Sequence, residues 1–453
     1  MESLLKDALQ GAQADYVEIR IEETETNIVS FSDDRPDDIG SRLERGGIIR
    51  ACTRGGWSRT TFNDPSKLKE RVAHTCALSQ KIGTGKTQLY DIPVITDTTK
   101  TSYTIDPRTI PLAEKEALCR KYNDRIRTAD GIQTSRTVYR DYTKHVWFAN
   151  AAGTYIDQTR THCGAAVMAF AKDGANVQRS MKSWGDHHGW ENMKPFEEKT
   201  EAVIKTVRDL LSAPKVTGGQ YTVILDPAMT GLFTHEAFGH LSEADFLYEN
   251  EELKARFTPG RRFGKEILNI VDQGNIPGSG GYIAYDDEGV ESRKNYLIKN
   301  GVLASRLHNR ETAGIMQEAV TGNARALNYT FAPIVRMTNT FIEPGKSTQA
   351  EMLDGITNGL YVVGALAGMT DLEKFSFVAE RAYEIKNGKI GNLVRDTILS
   401  GNLFQTLANI DMIGNDFELF GGLGGCGKDG QSPLPVGDGG PHIRIQNVLI
   451  GGN

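Results

Sequence analysis

The sequence has few cysteines, no long apolar run and no excess of positive charge, and each shortage removes a class of function. Five cysteines stand far apart, at Cys52, Cys76, Cys119, Cys163 and Cys426. An odd, scattered set makes no disulfide framework, so a reducing cytoplasm is the expected home. No run of apolar residues reaches bilayer-spanning length; residues 359–370 come nearest and are short and rich in glycine. Residues 1–7 lack the basic stretch and apolar core of a signal peptide, so none is expected. Lys and Arg number 52 against 58 Asp and Glu, a formal charge of −6, which disfavours a nucleic-acid partner. No internal repeat and no low-complexity tract interrupts the chain.

What is present fits a folded protein of two or three domains. The chain has 453 residues, 39% hydrophobic and 24% charged, too many for one ordinary core. Its 48 glycines imply many turns and close backbone approaches. The expected class is α+β. Residues 1–95 read as an α+β domain: Leu4, Leu5, Ala8 and Leu9 form a helical stripe, and Val17, Ile19 and Ile21 alternate with charged residues as in a half-buried strand. Further strands follow around 47–58, and Asp64-Pro65 opens a helix. A polar stretch over 96–102 marks a boundary. Residues 96–215 then read as a central domain of antiparallel strands and helices. Helices are expected at 112–126 and 195–212, and strands between 134 and 184 turn at Ala151-Ala152-Gly153 and Lys172-Asp173-Gly174. Residues 216–453 form the third domain, glycine-rich and mainly β. It opens with a strand at 221–225 and a helix capped by Asp226-Pro227. Short apolar runs at 280–284, 295–299, 338–342, 375–385 and 443–449 predict a barrel-like or sandwiched sheet.

That capped helix carries Thr234-His235-Glu236-Ala237-Phe238-Gly239-His240. A catalytic zinc takes three protein ligands and leaves a position for water. A glutamate beside the first histidine is placed to take a proton from that water. Zinc-binding histidines on a helix usually stand four residues apart; here the step is five. At ~100° per residue, the second ring then lies about 140° round from the first. Either a π-bulge or a break at Gly239 is required to bring both rings to one ion. The same spacing also fits two unrelated histidines, one buried and one exposed. Candidates for a third ligand are Glu243, Asp245, His308, His442 and Cys426. Cys426 sits in a glycine-rich loop, where the backbone can approach a neighbour closely and Lys428 would keep the sulfur ionised. A free surface thiol is the other reading of Cys426. His187-His188 reads as a surface turn, Asp286-Asp287-Glu288-Gly289 as an acidic turn without an EF-hand ligand series. Gly278-Ser279-Gly280-Gly281 lacks the lysine of a phosphate loop.

Several blocks together resemble the TldD/PmbA family, and specifically its metal-binding TldD type. They are the segment from His235 to His240, Asp286-Asp287-Glu288-Gly289, Arg336-Met337-Thr338-Asn339-Thr340, Gly414-Asn415-Asp416 and the run from Cys426 to Gln431. The resemblance implies a zinc peptidase with His235, His240 and Cys426 on the metal and Glu236 as base. It also implies a two-subunit assembly enclosing a chamber, with a TldE/PmbA-like partner or a second copy of the chain, and substrates that are short or unfolded peptides. One departure is Arg325-Ala326, where relatives tend to carry paired arginines. The expected function is thus a zinc metallopeptidase working through a metal-activated water. The alternative is a non-catalytic scaffold or binding subunit of a peptidase, toxin–antitoxin or topoisomerase-modulating complex.

Overall fold

Strand-period alternation builds the first sheet, but at the start of one inner strand both faces are covered. In the computed structural model, which describes residues 1–248, 250–371 and 373–451, the chain is α+β. Val17, Ile19 and Ile21 of β1 (Tyr16–Ser32) pack under α1 (Glu2–Leu9) and α2 (Leu68–Ile82), as their period predicts. The intervening Glu18, Arg20 and Glu22 are also buried, at 3%, 1% and 2% exposure, so the strand is not half-exposed as expected. Their face meets the C-terminal half of the chain, where Arg20 donates to the Asn328 and Phe331 carbonyls. β2 (Arg35–Thr53) and β3 (Gly56–Phe62) extend the sheet on one side of β1. On the other side lie β5 (Ile132–Asn150), β6 (Tyr155–Asp173) and β7 (Asn176–Asp186). The polar run expected as a boundary contains a strand: β4 (Thr96–Lys100) pairs parallel with Tyr155 to Thr159 of β6. The helices α3 (Leu112–Arg127) and α4 (Phe196–Ser212) cover the outer face with Cys119, Ile126, Val203 and Val207.

The C-terminal part starts at β8 (Gly219–Leu225), followed by α5 (Pro227–Thr234). A six-stranded sheet contains β9 (Ile270–Gln273), β10 (Lys294–Lys299), β11 (Val302–Leu303) and, beyond the ribbon β12 (Ala324–Arg325) and β13 (Ile334–Val335), β14 (Asn339–Ile342). A second group closes on itself. β15 (Asn358–Asp371) pairs with β8 and with β16 (Lys374–Lys386); β16 also pairs with β17 (Lys389–Val394) and β18 (Ile398–Asn402). The chain then passes through β19 (Ile410–Ile413), β20 (Glu418–Phe420), β21 (Cys426–Lys428), β22 (Gln431–Leu434) and β23 (Gly437–Gly440) to β24 (Ile443–Gly451). Because β24 pairs with both β18 and β8, the ring β15-β8-β24-β18-β16 is a barrel without open edges. Residues 280–284 do not form the expected strand. A Cβ on Gly281 would lie 2.2 Å from the Thr338 carbonyl oxygen, so the segment follows neighbouring backbone closely, with single bonds such as Ile283 N–H to the Gly274 carbonyl and no continuous ladder.

The acidic turn is buried. Glu288 reaches Arg50 at 3.0 Å and Asp287 reaches Arg20 at 3.4 Å, across the junction between the first sheet and the C-terminal part. Asp286 accepts backbone N–H groups from Glu288, Val290 and Ala324.

Candidate metal centre

Asp226 starts the helix that carries the motif. Its carboxylate accepts the Met229 N–H at 2.8 Å, and Pro227 fills the first turn, where no N–H partner is lost. Met229, Phe233, Ala237 and Phe238 bury one side of the segment in the main core. After Thr234 the helix widens into a π turn over His235–Gly239, and the His240 N–H donates to the His235 carbonyl five residues back. One extra residue in the turn brings the two rings together, with centroids 5.2 Å apart and planes at 88°. Gly239 keeps an ordinary right-handed φ of −57°, so the chain bulges and does not break. Its missing side chain serves packing: a Cβ there would lie 2.0 Å from the Met337 sulfur.

Cys426 joins the histidines from 186 residues further along. Its Sγ lies 3.2 Å from His240 Nε2, and donor atoms of His235, His240 and Cys426 all fall within 4.8 Å of one another. Zinc at about 2.0–2.3 Å from its donors needs spacings on this scale. The thiol is not on an open loop; it is 4% exposed, on a strand paired with Leu434, and Arg336 donates to its carbonyl at 2.7 Å. Burial pushes the thiol up, but the adjoining His235 and His240 outweigh it and hold Cys426 at about 5. Burial likewise opposes a charged His240, yet Cys426 and Glu243 raise it to about 10. His235 is raised too, by Cys426 against burial.

Lys428 does not face the sulfur. Its Nζ lies 3.1 Å from Glu243 and 2.6 Å from Asp245, with a further bond to the Val335 carbonyl. Glu243 is fully buried and meets His240 Nδ1 at 3.1 Å, leaving Nε2 turned to Cys426. Against burial, Lys428 and His240 hold the Glu243 carboxyl below its usual range. Glu243 and Asp245 therefore stand behind the donors, locking the π turn to β21. His308 is engaged with Glu318 and Thr312, and His442 with Asp416 and Tyr361. His187 is buried with Nδ1 on the Thr161 carbonyl, while exposed His188 meets Asp186, so the pair is not a simple surface turn.

A cleft of about 240 Å³ opens on the centre, lined by Ser183, His235, Glu236, Val436, Asp438 and the glycines between 421 and 425. Glu236 is half-buried there, and Gly368 on the barrel hairpin makes room for it: a Cβ would sit 3.0 Å from Glu236 Cγ. Asp438 escaped the sequence reading; the signal was a single acid inside Gly437-Asp438-Gly439-Gly440. Burial raises its carboxyl, with neighbouring Glu236 acting in the same direction against His235. His235 Nδ1 is buried without a hydrogen-bond partner among the described residues. Two imidazoles and a thiolate, one nitrogen orphaned, form a donor set that fits zinc.

Comparison with known proteins gives consistent matches along the chain. Residues 17–79, 105–211 and 218–452 match models described as PmbA/TldA metallopeptidase domain 1, central domain and C-terminal domain. A metalloprotease of Synechocystis sp. is 42% identical over 98% of this chain and 96% of its own length. A zinc metalloprotease TldD homolog of Saccharolobus solfataricus is 28% identical over 97% of each. Among solved structures, TldE from Thermococcus kodakarensis shares the fold, with a TM-score of 0.73 at 18% identity over 100% of both chains.

Proposed function

Since this chain belongs to the PmbA/TldA metallopeptidase family, we propose that it is a zinc-dependent peptidase acting on short or unfolded peptides. The observation that carries this reading is the meeting of His235, His240 and Cys426 donor atoms beside Glu236 in an open cleft. The three residues would hold the ion, and Glu236 is the general base. When bound, zinc supplies Lewis-acid polarisation of a carbonyl and of a water. Glu236 takes the water's proton and passes it to the leaving amine. Glu243 fixes the His240 ring and its tautomer, as carboxylates behind metal-binding histidines do. Asp438, whose carboxyl is raised by burial and by Glu236 against His235, faces the same cleft beside Glu236. The glycines at 421–425 continue from β20, the last strand of the six-stranded sheet, and an extended peptide backbone would add alongside that strand.

Residues 216–453 act as the catalytic domain, and residues 1–95 and 96–215 as enclosing domains. A subunit of the same fold, TldE-like or a second copy, completes the enclosure. No described helix is long and apolar enough to cross a membrane, and a cytoplasmic location suits five unpaired cysteines. Glu236→Gln is the direct test. It should retain zinc at wild-type stoichiometry and lose peptide hydrolysis by about 10²–10⁴-fold. Hydrolysis at the wild-type rate in a zinc-loaded Glu236→Gln protein overturns the assignment.

A further inference from the structure

A second cavity, of about 280 Å³, lies between the first sheet and the C-terminal part, and its walls are cationic. Strand period explains one wall. Arg140, Tyr142 and Lys144 alternate along β5 and so project to one face, with Arg160 directly opposite Lys144 on β6. Arg325 enters from the facing C-terminal part, and Pro433 to Pro435 close the side toward β23.

The charges of this cavity do not cancel within the protein. Lys144 is paired with Glu22 at 2.9 Å, the lining Asp287 is occupied by Arg20, and Glu44, a further acid of the lining, is exposed to solvent. Asp286, also in the lining, is pushed strongly toward its neutral form by burial, with Glu288 adding to the effect. Among the described residues Arg140, Arg160 and Arg325 have no carboxylate within ion-pairing distance. Arg325 is 5% exposed and donates only to the Met337 and Pro435 carbonyls. Arg140 donates to the Leu423 carbonyl at 2.9 Å, while its Nε is buried without a partner. The Arg160 side chain makes no hydrogen bond or ion pair with any described residue. Burial and the like charges of Arg160 and Arg336 outweigh Asp287 and Asp272 and hold the Arg325 guanidinium down at about 10, so the cluster is costly while it stands alone. Three arginines gathered without an anion are a site that an anion would complete.

The position of the cavity identifies whose anion. Pro433, Leu434 and Pro435 line it, whereas Val436 and Asp438, next along the same extended segment, line the metal cleft. Leu434 is the strand partner of Cys426. Leu423, whose carbonyl Arg140 holds, lies among the glycines of that cleft. A peptide lying in the cleft thus has the arginine cavity beside it. We propose that this cavity is a subsite for a carboxylate of the peptide substrate, bound by Arg140, Arg160 and Arg325 a few residues from the scissile bond. The carboxylate is either the C-terminal one or that of an Asp or Glu side chain. The proposal rests on the peptidase reading for its substrate, and its test does not depend on hydrolysis.

Two pairs of fluorescent peptides distinguish the sources: a free C-terminus against its carboxamide, and Glu against Gln within an otherwise identical peptide. Binding is measured by anisotropy on metal-free full-length protein, and kcat/KM on the zinc-loaded protein. In one of the two pairs the acidic member should bind about tenfold more tightly, the preference shrinking as salt is raised. With a net charge of −6, the field of the whole molecule works against that preference, so it must arise locally. Arg160→Gln, which breaks no side-chain hydrogen bond or ion pair among the described residues, should bring the acid-to-neutral affinity ratio down to near one, and Arg140→Gln should do the same. Each ratio is read within one protein sample, so a lower folded fraction cancels. Equal affinities in both pairs for the wild type overturn the proposal, as does an undiminished ratio in both variants. If the peptidase reading alone is wrong, hydrolysis is absent while the binding ratio persists; if the subsite alone is wrong, hydrolysis persists without an acidic preference.

Discussion

Cys426 and His240 hold each other in charged form, and that pairing sets how the centre should take up metal. With the thiol at about 5 and His240 at about 10, the metal-free site at pH 7 holds a thiolate and an imidazolium. Zinc requires the imidazole neutral, so binding must release at least one proton. Zinc affinity should therefore rise about tenfold per pH unit for each proton displaced as pH climbs from about 5, levelling off above about 10. Calorimetric titration in buffers of different ionisation enthalpy measures the proton count, and a count of zero at pH 7 contradicts the pairing. Glu243→Gln removes the carboxylate behind His240 and should weaken zinc about 10–100-fold in a competitive chelator titration. The sequence already named Glu243, Asp245 and Cys426 together as candidate ligands. It could not rank them, because Lys428, which engages both acids, comes from 183 residues beyond Asp245.

Among the elements, the π turn matters most and was also the most legible. A five-residue step between histidines cannot meet on a regular helix, so the need for a distortion followed from angular arithmetic alone. What arithmetic could not supply was the role of Gly239, whose neighbour Met337 is almost a hundred residues away. Gly239→Ala should lower both thermal stability, by about 1–3 kcal/mol, and bound zinc, and adding Met337→Val should restore part of each. Loss of zinc unaffected by the second substitution would mean that Met337 is not the obstacle. Amphipathic helices and strands with one apolar face were read to within a few residues, as α3 and β24 illustrate. The first half of β2 was not, because it is exposed on both faces and carries no hydrophobic alternation. Nor was β4, five mainly polar residues held by parallel pairing to β6.

Across the whole molecule, the least legible feature is the junction between the first sheet and the C-terminal part. Glu18 and Arg20 look like the solvent side of a strand until Glu288 and Asp287 arrive from more than 250 residues away. Arg50 sits between Glu18 at 2.8 Å and Glu288 at 3.0 Å and is 7% exposed. Arg50→Met leaves two buried carboxylates unpaired and should lower unfolding free energy by about 3–5 kcal/mol in denaturant titrations. A change under about 1 kcal/mol would show that the junction does not depend on the pair. This junction also frames the metal cleft, since Ser183 of β7 faces the glycines at 421–425. The central claim is that a single ion is held by residues from the π turn and from β21. Anomalous scattering at the zinc edge, from crystals of the zinc-loaded protein, tests it most directly. The account predicts one peak within about 2.0–2.3 Å of His235, His240 and Cys426. A peak on other residues, or none at this cluster, contradicts it.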